Sequence, residues 1–409
     1  MVLPCAGFYL SVEPRAGYVV FPIRHHIAGK VTMTSLGFII AAVVFVLLTV
    51  FLFYNYPKKW RKNKAFVIVL LAIRTIGLLG VVSVFAFHRM IPNEAIRKIV
   101  TIVGTCYYVI TILEAMLCLI RNISVRALRF IIKGLKEHWF LDRRVHSVAF
   151  LLIAVLILVA GFINIDRLKM TRYEVSIDPP SLEKELTICL IADIHSGSGT
   201  WDKTYDEMAR LIDESEADVL LIAGDVFDET TKESDVQKLA DMMGKIKKPK
   251  YGIYYIYGNH DEWLEDWAAE RMREMGVTVL EDEMIVLGED IQLIGCLDPN
   301  CGAAKIDELC KECAPDKDKP LLVLTHRPKH FREMADLGVD LVMAGHTHGF
   351  NFPQFMAANL FNDMYSGIRE YDDMTAVTTS GISAWGYHYK WPAKSEVVTI
   401  HVTFDGGEG

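Results

Sequence analysis

Four apolar runs, at roughly 36–54, 65–87, 99–120 and 148–165, constrain this 409-residue chain more than any other feature. Each approaches the ~20 residues that a helix needs to cross ~30 Å of hydrocarbon. Helices of a soluble bundle show a polar face, and these runs leave little room for one; the third is the least pure. The chain is 52% hydrophobic and 23% charged, which excludes disorder for most of its length. The expected organisation is an α-helical transmembrane region, 1–170, followed by a second domain, 171–409. The first run is too long for a cleavable signal peptide, and no small-residue cleavage site follows it. Met33, just ahead of it, is an alternative start to Met1.

Charge divides at the same place. Residues 1–170 hold 21 Lys+Arg and 6 Asp+Glu, a net of +15, whereas 171–409 hold 22 and 45, a net of −23. An acidic surface of that size disfavours a nucleic-acid partner. The loops at 55–64 and 121–147 lie on one side of four spans and carry 12 Lys+Arg, against 9 on the other side. The positive-inside bias therefore puts the acidic domain outside the cytoplasm, on a multi-pass integral membrane protein. Arg74 and Glu114 interrupt the second and third runs at depths that let them pair, which would lower the cost of each charge in lipid. A tie between two helices and a proton or ion path are both open readings.

From about 171 short apolar runs alternate with amphipathic stretches. The pattern predicts strands at 186–192, 218–224, 251–258, 277–280, 284–287, 291–295, 320–325, 340–344, 375–380 and 395–404. Helices are expected at 204–216, 233–247, 262–275, 303–313 and 329–337. Alternation of this kind argues an α/β sheet with helices packed on it.

The chemistry lies where strands stop. Successive strand ends carry Asp193-Ile194-His195, Gly224-Asp225-Val226-Phe227-Asp228, Gly258-Asn259-His260-Asp261, His326, and Gly345-His346-Thr347-His348-Gly349. In an open α/β sheet those ends are where ligands bind. One such Asp or His is usually a cap or a core residue; five strand ends in register point to a metal site. Mixed imidazole and carboxylate donors suit Mn, Fe or Zn better than Mg or Ca. A pair of such ions can activate water and hold phosphoryl oxygens for in-line attack.

The ordered series D-x-H, GD-x-x-D, GNHD, H and GH-x-H resembles the calcineurin-like metallophosphoesterases, in particular a membrane-linked bacterial branch. The resemblance covers about 186–404. It implies a four-layer α/β/β/α sandwich and two divalent metal ions. By position, Asp193, His195, Asp225 and His348 match the ligands of one ion, with Asp225 the bridging carboxylate. Asn259, His326 and His346 match the remaining ligands of the other. His260 matches the histidine that contacts the substrate phosphate and protonates the leaving group, and Asp228 its carboxylate partner. The implied activity is hydrolysis of a phosphoester or pyrophosphate bond, in a phosphorylated small molecule or a lipid head group. The alternatives are a receptor or transporter that keeps the fold for binding only, and a tethered phosphodiesterase for soluble substrates.

Two departures from the family pattern bear on substrate choice. Phe350-Asn351 follow GHTHG where Gly-Gln is common, and WGYHYKWPAKSE (385–396) replaces an arginine-bearing motif. Segment 350–365 carries Phe350, Phe352, Phe355, Met356, Leu360, Phe361 and Met364. Segment 385–391 carries Trp385, Tyr387, His388, Tyr389, Lys390 and Trp391, a mixture that settles at lipid interfaces. Either the two segments cap the sandwich core, or they form an apolar lip facing the bilayer. In the second case Lys390 and Arg327 are candidates to hold a head-group anion. Cys301, Cys310 and Cys313, with Cys296 nearby, could be buried thiols, a disulfide or a zinc site.

Overall fold

The computed structural model describes residues 43–83, 91, 93–132, 142–177, 185–197, 199–261, 264–297, 303–352 and 362–404. Everything described from Val44 onward belongs to one compact unit. The candidate start at Met33, residues 36–42 of the first run, Phe355, Met356, Leu360, Phe361 and Cys301 lie outside the described residues.

Three of the described helices are long and apolar enough to cross a membrane: α3 (Lys64–Val82), α4 (Glu94–Ile131) and α5 (Arg143–Ile165). The described part of the first run is a shorter apolar helix, α1 (Val43–Asn55), joined to α3 through the single turn α2 (Lys58–Arg61). Each of the three long helices starts on a side-chain cap. Asn63, Asn93 and Asp142 accept the backbone N–H groups of Phe66, Ile96 and Arg144, which satisfies donors that have no helical partner. The third run extends well beyond 99–120, because its polar flanks continue the helix to 38 residues. At 1.5 Å per residue that is about 57 Å, nearly twice a hydrocarbon core. The expected ion pair is formed: Arg74 Nη2 lies 2.9 Å from Glu114 Oε2, and Arg74 also donates to Thr111 and Tyr56.

The second region is built on two six-stranded mixed sheets. The first contains β1 (Lys169–Ser176), β2 (Glu185–Ile191), β3 (Val219–Ala223), β4 (Ile253–Ile256), β5 (Thr278–Val279) and β12 (Glu396–Thr403), in the order β1-β12-β2-β3-β4-β5. The second contains β6 (Glu283–Leu287), β7 (Ile291–Gly295), β8 (Leu321–Leu324), β9 (Leu341–Ala344), β10 (Gly367–Tyr371) and β11 (Met374–Thr378), in the order β10-β11-β9-β8-β7-β6. The central strands β2, β3 and β4 are parallel, as are β7, β8 and β9.

Side-chain alternation gives the layers. In β2, Leu186, Ile188 and Leu190 point into a core shared with Leu322 and Leu324 of β8 and Leu341 and Met343 of β9, between the sheets. The alternate residues Cys189 and Ile191 pack on Met208, Leu239 and Met272, from helices α6 (Asp202–Glu214), α7 (Glu233–Lys245) and α8 (Glu265–Glu274). On the other sheet, Leu321, Val323 and Val342 pack on Leu309 and Phe331 from α9 (Ala303–Cys313) and α10 (Phe331–Asp336). The result is a four-layer α/β/β/α sandwich. Both faces of the central strands are buried, hence their unbroken apolar sequences. Strands β1 and β10 were not expected. Both are edge strands with mostly exposed or half-buried residues, so no apolar alternation marks them.

Candidate metal centre

Each expected metal ligand sits within a few residues of a strand's carboxyl end, and the backbone there turns sharply. Asp193, His195, Asp225, His346 and His348 all have left-handed φ angles, between 45° and 71°. For a residue with a side chain this costs about 1–2 kcal/mol, so five such residues in one site mark a conformation that the surrounding fold enforces. The enforcement is visible. Asp193 N donates to Gly224 O and His195 N to Asp225 O, so the β2 and β3 turns run side by side. Gly258 is required next to them, because a Cβ there would fall 2.2 Å from Asp225 Oδ1.

These turns bring the ligands into two sets. Asp193, His195 and His348 offer donor atoms within 4.8 Å of one another, and so do Asp225, His326 and His346. The sets meet at Asp225. Its Oδ2 lies 3.1 Å from His326 Nε2 and 3.8 Å from His195 Nε2. The other carboxylate oxygens are held by backbone amides: His260 N donates to Asp225 Oδ1 at 2.8 Å, and His346 N to Asp193 Oδ2 at 3.0 Å. Two imidazoles are oriented by carbonyls, His326 Nδ1 by Ala223 O and His348 Nδ1 by Ser383 O. A proton fixed on Nδ1 leaves the Nε2 lone pair for the site, a common arrangement around protein-bound metals.

The polar atoms fit a cation. Asp193 Oδ1, His195 Nε2 and Asn259 Oδ1 are buried without a hydrogen-bond partner. Buried polar atoms are normally paired, and those that are not call for an explanation such as an ion. Burial, together with the charges of His326 and Arg327, lowers His346 to about 2 against the opposing pull of Asp225, so its ring is neutral and able to ligate. Asp225 is held well below the usual carboxylate range: burial opposes this, but the facing His326 and His260 outweigh it.

The residues expected around the leaving group are placed differently. Asp228 faces His195, with 3.3 Å between Oδ2 and Nδ1, and its Oδ1 accepts from Thr230 N and Oγ1. The carboxylate on His260 Nδ1 is that of Glu229, at 3.3 Å. Glu229 also accepts from Trp385 Nε1 at 2.8 Å, and the Trp385 ring lies 5.1 Å from that of His260. Adjacency explains the correction, because two neighbouring carboxylates compete for one role and strand-end spacing cannot choose between them. Burial works against a charged His260, yet Asp225 and Glu229 raise it to about 9.

Lys390 corrects a second expectation. It is fully buried, and its ammonium donates to the carbonyls of Ser380, Gly381 and Ser383. Three donors on three acceptors leave nothing for a head-group anion. Arg327 adjoins His326 and is close enough for its charge to act on His346. Segments 350–365 and 385–391, open to reading as a core cap or an apolar lip, meet a third neighbour at several described positions. Phe352, Tyr387 and Tyr389 are buried against Val109 and Leu113 of α4 and Ala154 and Leu158 of α5, with Trp391 partly buried beside them. Apolar aromatic groups beside apolar helices bury more area against protein than against water, and the sequence pattern is the same for either neighbour. Met364 belongs to the core under α9 and α10. Cys296 is buried and Cys310 and Cys313 are half-buried; none of the three forms a disulfide among the described residues, and the described metal-ligand sets contain no cysteine.

Fold and site together define a sandwich with two adjoining metal-ligand sets at one end of its central strands. Residues 186–350 match the sequence profile of the calcineurin-like phosphoesterases. The chain carries a calcineurin-like metallophosphoesterase domain, in a polypeptide with apolar helices ahead of it. It is 29% identical over 233 residues to an uncharacterised metallophosphoesterase of Helicobacter pylori, covering 54% of this chain and 60% of that one. It is 27% identical over 278 residues to a zebrafish transmembrane protein with a metallophosphoesterase domain, covering 62% of each. A phosphodiesterase of Escherichia coli is 23% identical over 229 residues, covering 53% of this chain and 81% of its own. The chain thus spans less than two thirds of the length of the first two relatives.

Proposed function

We propose that the chain is a multi-pass membrane phosphohydrolase that uses two divalent ions, Mn, Fe or Zn, to cleave a phosphoester or pyrophosphate bond. The observation that carries this reading is the pair of candidate ligand sets meeting at Asp225, with Asp193 Oδ1, His195 Nε2 and Asn259 Oδ1 buried without a hydrogen-bond partner. Asp193, His195, Asp225 and His348 would hold one ion; Asp225, Asn259, His326 and His346 would hold the other. Bound there, the ions supply positive charge to the phosphoryl oxygens and activate a water. His260 supplies the proton to the leaving oxygen, and Glu229 fixes its Nδ1 so that Nε2 carries that proton. Asp228 steadies His195 from behind.

A lipid head group is the favoured substrate class. The reading is supported by the attachment of the site to apolar helices: the segment after Gly381 packs on Val109 and Leu113 of α4 and on Ala154 and Leu158 of α5, and its Ser383 O meets Nδ1 of the candidate ligand His348. The basic residues of α2 and of the 121–147 stretch support the reading that the domain lies on the opposite side of the membrane, outside the cytoplasm. A binding-only receptor fits less well, since no ligand position is replaced. The test is phosphate or head-group release by the full chain in lipid, after EDTA stripping and Mn2+ readdition, on phospholipid vesicles and on a water-soluble diester. Metal-dependent turnover that favours vesicles supports the proposal. Preference for the soluble diester would replace the lipid reading with that of a tethered phosphodiesterase. No hydrolysis of any phosphoester or pyrophosphate would end it.

A further inference from the structure

Both departures from the family pattern meet at one residue. Lys390 lies on a strap, residues 385–395, whose ends are fixed to different parts of the molecule. Asn351, which follows the His346–Gly349 turn, brackets it: its Nδ2 donates to Tyr389 O at 2.9 Å and its Oδ1 accepts from Trp391 N at 2.8 Å. On the other side the strap is tied to the end of α5. Lys390 N donates to Gly161 O at 3.2 Å, Ser395 Oγ to Ile165 O at 3.2 Å, and His388 Nε2 meets Asp166 Oδ1 at 2.8 Å. The fit at Gly161 is close, since a Cβ there would fall 2.0 Å from the Tyr389 ring.

The ammonium reaches from this strap to the metal ligands through one short segment. The carbonyls of Ser380, Gly381 and Ser383 converge on Lys390 Nζ. The same segment lies alongside Asp193: Ile382 N donates to Ala192 O, Ser383 N to Asp193 O, and Ser383 Oγ to Ile194 O. Ser383 O also accepts from His348 Nδ1 at 3.1 Å. Three carbonyl dipoles pointing at one another repel unless a cation sits between them, so the segment needs Lys390 to keep this shape.

We propose that Lys390 is a positioning residue for the ligand set Asp193, His195 and His348, and that through it membrane helix α5 helps to hold that set. The inference rests on the reading of these residues as metal ligands. It assigns no such brace to Asp225, His326 and His346. It also predicts a sign that electrostatics alone does not. Removing a cation near a bound dication strengthens metal binding by Coulomb's law, whereas removing the brace weakens it.

The test is Mn2+ binding by the full chain in lipid nanodiscs, read by the electron paramagnetic resonance of free Mn2+ and by elemental analysis. A His346→Ala background leaves the braced set intact, and a His348→Ala background leaves the other. Lys390→Met should weaken Mn2+ binding about 10–100-fold in the first background, the usual effect of losing a supporting contact around a metal site, and change it less than threefold in the second. Asn351→Ala should act in the same direction in the first background, and it serves alone if Lys390→Met does not fold. Unchanged or tighter binding in the His346→Ala background would overturn the inference, as would equal weakening in both. If the unaltered chain binds no Mn2+, it is the metal-site reading that fails.

Discussion

Arg74 and Glu114 in the apolar helices are buried, as are Asp193 and His195 at the strand ends, yet the two groups are satisfied in opposite ways. The charges in the apolar helices answer each other. Arg74 spends its donors on Glu114, Thr111 and Tyr56, and Glu114 accepts from both Arg74 and Tyr56. At the strand ends the donor atoms converge and leave Asp193 Oδ1 and His195 Nε2 without a hydrogen-bond partner. A closed network ties helices together. An open one, on backbone held at positive φ, is arranged for something that arrives from outside. The comparison separates a buried charge that serves the fold from one that serves chemistry, and it can be tested on both sides.

The largest effect is expected at the open network. Asn259→Ala removes a candidate ligand atom, Oδ1, that has no hydrogen-bond partner to lose, so hydrolysis should fall on the order of 10³-fold, about 4 kcal/mol of transition-state stabilisation. Thermal stability of the metal-free chain should stay within about 1 kcal/mol of the parent. Kinetics and melting measured on the same preparations check both halves, and a variant that melts early while keeping its rate would mean Asn259 is merely structural.

The closed network should behave in the reverse manner. Glu114→Leu strands the Arg74 guanidinium and should destabilise the helices by about 3–5 kcal/mol, whereas Arg74→Leu combined with Glu114→Leu should recover most of that loss. Phosphoester hydrolysis per folded molecule should be unchanged in the double variant. Loss of activity there, with stability restored, would instead support an ion or proton path through the helices.

The smallest effect concerns the joint between the two regions. Asp166 caps α5 and pairs with His388 and Lys203. Burial raises its carboxyl, but the hydrogen bonds to His388 and Lys203 outweigh this and lower it below the ordinary value. A lowered carboxylate contributes stability that is present above its unfolded value, near pH 4, and is lost as pH falls through the folded value. Asp166→Asn should therefore lower the melting temperature slightly at pH 7, and the difference from the parent should shrink toward pH 3. A gap that persists undiminished in acid would assign the effect to packing.

What the sequence made legible follows from the same contrast. The candidate metal ligands could be located because each lies just beyond an apolar strand, where spacing alone fixes its place. The pairing of Arg74 with Glu114 could be read because charges in an apolar run have few possible partners. Glu229 could not be told from Asp228, since both adjoin the same turn. The burial of Lys390 was hidden because an aromatic and basic stretch reads alike whether it meets lipid or the side of α5. Strands β1 and β10 escaped because edge strands need no apolar alternation. The true length of α4 escaped because its ends are polar.

The two candidate ligand sets are proposed to work as one dinuclear centre joined at Asp225. Its most direct test is a titration of Mn2+ into the EDTA-stripped full chain, following p-nitrophenolate release from bis-p-nitrophenyl phosphate against metal bound per chain. Negligible release without metal, a rise that saturates at two ions per chain, and a flat response in Asp225→Asn are expected. Release that persists in stripped protein, that saturates at one ion, or that is retained by Asp225→Asn would contradict it.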